Sequence, residues 1–217
     1  MVAPYQKTLS LSLAAAVANG VCLSQSGTAG TPLTIAGSLA SGGIATFDNP
    51  RRVGVTSAGN DSANSFTIVG TDYYGRTQTE VLTGANAGVA QTVRDFATVT
   101  AVTPTSNTAS TVTVGTTSVG STPPAVLDAI ANPTNVTLAG VVNGTVTYTV
   151  EVSYDDLYPA FNVNSTPPTY FNSGIASATG NLAVTLNAPT NLVRLTINSG
   201  VGTASVRILQ NFLAGRI

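Results

Sequence analysis

The sequence of 217 residues contains no histidine, no tryptophan and a single cysteine, Cys22. Histidine is the usual general base near neutral pH and the commonest metal ligand. Ser–His–Asp and Cys–His mechanisms therefore cannot be built from this chain. One cysteine allows no disulfide within the chain, and we expect Cys22 to be a small buried apolar residue.

Charge is also scarce. Only 8% of the residues are charged and the formal net charge is -1, whereas about a quarter is usual in soluble domains. Nucleic-acid binding depends on lysine and arginine side chains that neutralise phosphates, and the sequence has no basic block. No apolar run reaches the roughly 20 residues that cross a bilayer. We expect neither a nucleic acid nor a membrane as a partner.

The sequence is instead rich in Thr, Val, Ser, Asn, Gly and Ala. Thr and Val are β-branched and favour strands, whereas Gly and Asn favour turns. This composition predicts an all-β protein, and the length suits one large or two small domains. We predict an extended N-terminal arm with short strands, a first β-sandwich-like domain and a second one, with a linker-like stretch (residues 115–124) between the last two. The predicted bounds are 1–50, 51–122 and 123–217.

The segment from Arg52 to Gly84 has the clearest strand pattern. Phe66 and Ile68 alternate with smaller residues, as in a strand with one buried face. Asp72 and Gly75 supply turn chemistry, because an Asp side chain bonds nearby N–H groups and glycine accepts positive φ. We predict a hairpin over Phe66–Leu82. The predicted strands are Arg52–Thr56, Ser65–Gly70 and Thr77–Thr83.

Three further patterns concern strands elsewhere. Val146–Tyr154 alternates cleanly, with Val146, Tyr148, Val150, Val152 and Tyr154 expected on one face. Phe96, Val99 and Val102 are spaced by three residues, which in a strand requires a bulge or an irregularity. The apolar stretch that begins at Leu9–Leu13 resembles a signal peptide. The alternation of Leu and Ser in Leu9–Leu13 instead favours a strand that stays in the protein.

Few residues suggest a chemical site. Asp155 and Asp156 are adjacent, and adjacent strand residues point to opposite faces, so they are poorly placed for glycoside cleavage. Loop carboxylates also bind Ca²⁺, although a solvated turn is the simpler interpretation. We assign no catalytic, cofactor-binding or metal-binding residue and expect a protein that is not an enzyme.

Two groups of residues are candidates for an interface. Arg51 and Arg52 form an isolated basic pair, expected at a strand edge or an interface. A proline-rich loop over residues 155–172 carries aromatic residues that either pack over their own domain or form a binding surface. Of the binding alternatives, protein contact is favoured over a sugar platform. The aromatic candidates are Tyr158, Phe161, Tyr170 and Phe171.

Residues 50–88, PRRVGVTSAGNDSANSFTIVGTDYYGRTQTEVLTGANAG, resemble a segment of virion structural proteins of tailed bacteriophages. Those proteins combine an RRV-x-V-T-S-AGNDS strand and turn with an F-T-x-x-GTD-x-x-G-x-x-x-TE hairpin. Residues 191–210, which include VRLTINSGVGTASVRILQ, are loosely similar to their C-terminal strand pair. Neither residues 1–49 nor the 155–172 loop is covered, and the motifs carry no catalytic residues.

The resemblance implies a capsid-associated role, as a cement or decoration protein on the surface of the virion head. Its implied partners are the major capsid protein and further copies of this chain, in a homo-oligomer. A component of the tail or neck is the alternative within the same class. A carbohydrate-binding virion protein, with a groove lined by the loop aromatics and by Asp155 or Asp156, is the alternative from another class.

Overall fold

The computed structural model describes residues 5–127, 135–155 and 168–210, and these form sixteen strands and no helix. The all-β prediction is confirmed. No helix that could cross a membrane occurs in these residues. The strands are β1 (Tyr5–Leu13), β2 (Cys22–Ser26), β3 (Ala40–Ser41), β4 (Ile44–Ser57), β5 (Ser65–Thr71), β6 (Thr77–Thr83), β7 (Val89–Gln91), β8 (Phe96–Pro104), β9 (Thr111–Ser121), β10 (Ala125–Val126), β11 (Val136–Gly144), β12 (Thr147–Ser153), β13 (Phe171–Ala178), β14 (Leu182–Leu186), β15 (Leu192–Ser199) and β16 (Gly202–Gln210).

The chain divides into two compact units. Unit 1 comprises Met1–Leu13 and Ser121–Ile217, and unit 2 comprises Ala14–Gly120. The residues expected to form an arm are therefore shared between the units: β1 belongs to unit 1 and the following residues to unit 2. The stretch with linker composition is largely strand, because β9 continues to Ser121.

Unit 1 is a β-sandwich. One sheet has the strand order β1-β16-β11-β14, and the other contains β13-β12-β15 with β10 beside β15. Side chains from both sheets form one buried apolar cluster, including Leu138 and Ile208 from the first sheet and Val150 and Leu195 from the second. The two sheets thus enclose a common core.

Strand β12 has the predicted buried face, with one correction. Val146, Tyr148, Val150 and Val152 are buried, but Tyr154 is 51% exposed. The strand ends at Ser153, so the alternation that fixes the direction of the earlier side chains no longer applies to Tyr154.

Unit 2 is built on a sheet with the order β9-β4-β8-β5-β6, to which β2, β3 and β7 add short pairings. The predicted hairpin is present, with Phe66 opposite Leu82. Asp72 Oδ1 accepts hydrogen bonds from the N–H groups of Tyr74 (2.8 Å) and Arg76 (2.9 Å). Gly75 has a φ of 76°, so the turn uses both residues that the sequence indicates.

Strand β8 contains the predicted irregularity. Val102 lies opposite Ile68 and Val99 lies opposite Gly70, while the register shifts between the two pairs. Between these two pairs, β8 therefore contains one residue more than β5, as in a β-bulge. This extra residue lets Val99 and Val102, three positions apart, both be fully buried.

A larger irregularity interrupts β4. Thr46 pairs with Thr98 and Arg51 pairs with Phe96, so residues 47–50 lie opposite a single residue of β8. Pro50 has no N–H to give to a ladder, and prolines in sheets are tolerated at such bulges. The bulge brings Asp48 close to Arg51.

Candidate functional site

Arg51 is a structural residue in this fold. Its side chain is only 2% exposed. Nε donates to the carbonyl of Thr117 (3.0 Å), one terminal nitrogen donates to the carbonyl of Ala14 (2.8 Å), and the other donates to Asp48 Oδ1 (3.1 Å). The guanidinium group thus joins the β4 bulge, β9 and the segment after β1, and it is not presented to a partner.

Asp48 completes this group. Its Oδ2 accepts a hydrogen bond from the N–H of Ala14 (2.8 Å). Partial burial favours the neutral acid, but the Ala14 hydrogen bond and the positive charge of Arg51 outweigh it and lower the pKa of Asp48 below its ordinary value of 3.8. We call Arg51 and Asp48 the bulge pair.

Arg52 has a different environment from its neighbour. Its side chain is half-buried, on the face of β4 opposite Arg51. Its backbone carbonyl accepts a hydrogen bond from Thr117 Oγ1 (3.4 Å). A role for Arg52 at an interface remains a prediction.

The AGNDSAN turn (residues 58–64) is hydrogen-bonded to a neighbouring loop. Asp61 and Asn64 are both buried, and Asp61 Oδ1 accepts a hydrogen bond from the N–H of Ala109 (2.9 Å). Asn64 Oδ1 accepts from the N–H groups of Ser65 and Ser106 (2.9 Å each), and its amide donates to the Ser106 carbonyl (3.0 Å). These polar side chains are used to hold the loop that follows β8.

Glu80 acts in a similar way on the inner side of the hairpin. Its carboxylate accepts hydrogen bonds from the N–H groups of Val93 (2.7 Å) and Arg94 (2.9 Å). The neighbouring Gln78 donates to the carbonyl of Asp95 (2.6 Å). Glu80 thus binds the loop after β7.

The aromatic candidates within the described residues lie in unit 1. The rings of Tyr154 and Phe171 contact each other with centroids 5.7 Å apart, and each residue is 51% exposed. Tyr170 is partly buried, and the guanidinium carbon of Arg194 lies 3.6 Å from the centre of its ring. We call Tyr154 and Phe171 the aromatic patch. Tyr158 and Phe161 lie outside the described residues.

Polar contacts fix the cation that lies against the Tyr170 ring. Arg194 Nε donates to Glu151 Oε2 (2.7 Å), and Thr196 Oγ1 donates to the same oxygen (2.7 Å). Both charged side chains are mostly buried. A guanidinium on an aromatic face is attracted to the ring electrons, so Arg194 holds Tyr170 in a defined orientation.

Of the two adjacent carboxylates considered for chemistry, the structure describes Asp155. Asp155 Oδ2 accepts a hydrogen bond from the N–H of Thr169 (2.6 Å). Asp156 lies outside the described residues. Within residues 5–127, 135–155 and 168–210, no group of three or more Cys, Asp or Glu side chains is arranged to hold a metal ion.

Cys22 is fully buried with a free thiol. Burial raises the pKa of this thiol to about 12. The expectation of a small apolar core residue is confirmed.

Comparison of the chain with protein-family models, with curated proteins and with solved structures finds no match.

Proposed function

We propose that this protein is a structural virion protein of the cement or decoration type, which binds the outside of a tailed-phage head shell and stabilises it. Its partners are the major capsid protein and further copies of this chain. The observation that carries the proposal is the aromatic patch, where Tyr154 and Phe171 are half exposed and already packed on each other.

The patch has the chemistry of an interface anchor. Aromatic residues and arginine are enriched among the residues that dominate binding energy, and large rings bury much apolar area when a partner covers them. The rings of Tyr154 and Phe171 already contact each other before any partner binds. Pre-arrangement lowers the entropic cost of association.

The segment that resembles virion proteins supports the proposal in a different way. Its polar residues Asp61, Asn64 and Asp72 bond to the backbone and stabilise turns. Such a segment is a scaffold, which agrees with a family defined by structure and assembly. The binding surface then belongs to other parts of the chain.

The copy number and position of the protein in purified virions test this proposal. Quantitative gel analysis and cryo-electron microscopy should show hundreds of copies over the head. A few copies at one vertex would place the protein in the neck or tail instead. Absence from virions would overturn the proposal.

Variants test the patch itself. Phe171→Ala should weaken binding to heads that lack the protein by at least tenfold without altering the fold. Val201→Ala is the matched control, because Val201 is a comparably exposed apolar residue (58%) elsewhere in unit 1. Equal binding by the two variants would exclude the patch as the shell contact.

Carbohydrate binding is the second candidate, and the same exposed rings favour it because aromatic faces stack on sugar rings. A glycan array separates the two functions. If Phe171→Ala abolished binding to a glycan but left attachment to the head shell intact, the result would favour the carbohydrate function over the cement function.

A further inference from the structure

Strand β1 has an unusual place in the chain. The other described strands of unit 1 lie within Ser121–Ile217, whereas β1 precedes the whole of unit 2. The connection from β1 to the rest of its unit therefore passes through residues 14–120. Removal of β1 from the sheet would leave the connections among the other described strands of unit 1 intact.

The pairing of β1 is one-sided. It is an edge strand, and its nine residues pair with β16 alone, from Tyr5 opposite Gln210 to Leu13 opposite Gly202. Leu11 and Leu13 are each 3% exposed and belong to the core of the sandwich. Without β1, unit 1 would present a free β16 edge beside an open apolar core.

The segment after β1 is held by unit 2. The bulge pair bonds both the N–H and the carbonyl of Ala14. Val17 exchanges hydrogen bonds with Thr116, through the Val17 N–H to Thr116 Oγ1 (2.9 Å) and the Thr116 N–H to the Val17 carbonyl (2.9 Å). A released β1 would thus remain attached to residues that are hydrogen-bonded within unit 2.

We propose that β1 is exchanged between copies of this chain, so that the β1 of one copy completes unit 1 of another. The partner is a second copy, because another copy carries both the β16 edge with which β1 pairs and the core that buries Leu11 and Leu13. Exchange reproduces each β1 contact and changes only the connection, which makes it a low-cost route to oligomers. This inference deepens the homo-oligomer part of the proposed function, and its test needs no virion, so the two can fail separately.

Paired cysteines test the exchange. Ser10 lies opposite Ser205 across β1 and β16, and directly opposed strand residues are within reach of a disulfide. Full-length Ser10→Cys and Ser205→Cys variants with different tags are co-expressed, oxidised and run on a non-reducing gel. We expect a mixed disulfide dimer at least fivefold more abundant than in the control.

The control uses two strands that the inference does not exchange. Thr137 and Thr185 face each other across β11 and β14 with their hydroxyl oxygens 3.2 Å apart. Thr137→Cys co-expressed with Thr185→Cys should give little mixed dimer. A Ser10–Ser205 mixed dimer no more abundant than this control would overturn the proposal. A Ser10→Cys/Ser205→Cys double variant that forms no disulfide at all would overturn the pairing on which it rests.

Discussion

Replacing Arg51 by alanine should strongly destabilise unit 2. The guanidinium is buried and donates to two backbone carbonyls, those of Thr117 and Ala14, as well as to Asp48. Each lost bond from a charged donor to a carbonyl costs about 1.5–3 kcal/mol, which gives about 3–6 kcal/mol for the two. We add nothing for Asp48, because its side chain is 36% exposed and solvent weakens such pairs.

Urea unfolding followed by far-ultraviolet circular dichroism measures this loss. The transitions of the two units are fitted separately, since a chain with two units need not unfold in one step. Arg52→Ala is the matched control. Its side chain is half-buried, and the hydrogen bond at its backbone carbonyl survives the substitution, so we expect a change below about 1 kcal/mol.

Arg51→Lys separates charge from geometry. Lysine keeps the positive charge but lacks the planar fork that reaches several acceptors at once, so it should recover only part of the loss. If Arg51→Ala destabilised the protein no more than Arg52→Ala, the bulge pair would not be the stabilising group that we describe.

Three further predictions concern single residues. The interactions that lower the pKa of Asp48 stabilise the fold above pH 3.8, and this contribution disappears as the pH falls through the lower, folded-state pKa. Asp48→Asn should therefore flatten the loss of stability between pH 5 and pH 2, and an unchanged pH profile would contradict this. Gly115→Ala should cost about 1–3 kcal/mol, because a Cβ there would overlap the Val17 carbonyl oxygen, whereas Gly88→Ala has space and should be neutral in the same urea assay. Cys22 is buried and the pKa of its thiol is raised to about 12, so it should resist a thiol reagent at pH 8 until urea unfolds the protein, and rapid native labelling would refute its burial.

Local patterns in the sequence predicted the elements that local chemistry determines. The β5–β6 hairpin combines side-chain alternation with Asp72 and Gly75 in one short turn. The three-residue spacing of Phe96, Val99 and Val102 indicated the irregularity in β8. In each case the residues that specify the structure are near one another in the chain.

Long-range contacts were not predictable in this way. The partner of β1 lies at the other end of the described chain, so no short window relates the two strands. Gly115 belongs to a stretch with the composition of a flexible linker, but the structure uses it where the backbone of Val17 and Ala18 comes very close. Composition alone does not distinguish a glycine selected for flexibility from one selected for close approach.

The same limit applies to the candidate site. Arg51 was expected at an edge or an interface, but its acceptors Ala14 and Thr117 lie far away in the sequence. Asp61 and Asn64 have the residue types of an ordinary turn, yet they bond to residues 105–109. The aromatic patch was predicted in part, since Phe171 was a candidate and Tyr154 was expected on the buried face.

The position of β1 also has a consequence for synthesis on the ribosome. β1 is translated before every other described strand, while its pairing partner β16 is the last of them. Unit 2 can fold while translation continues, because domains generally fold as units in order of synthesis. The nine residues of β1 are meanwhile without their own β16, and during that interval the β16 of a neighbouring chain could pair with them without competition.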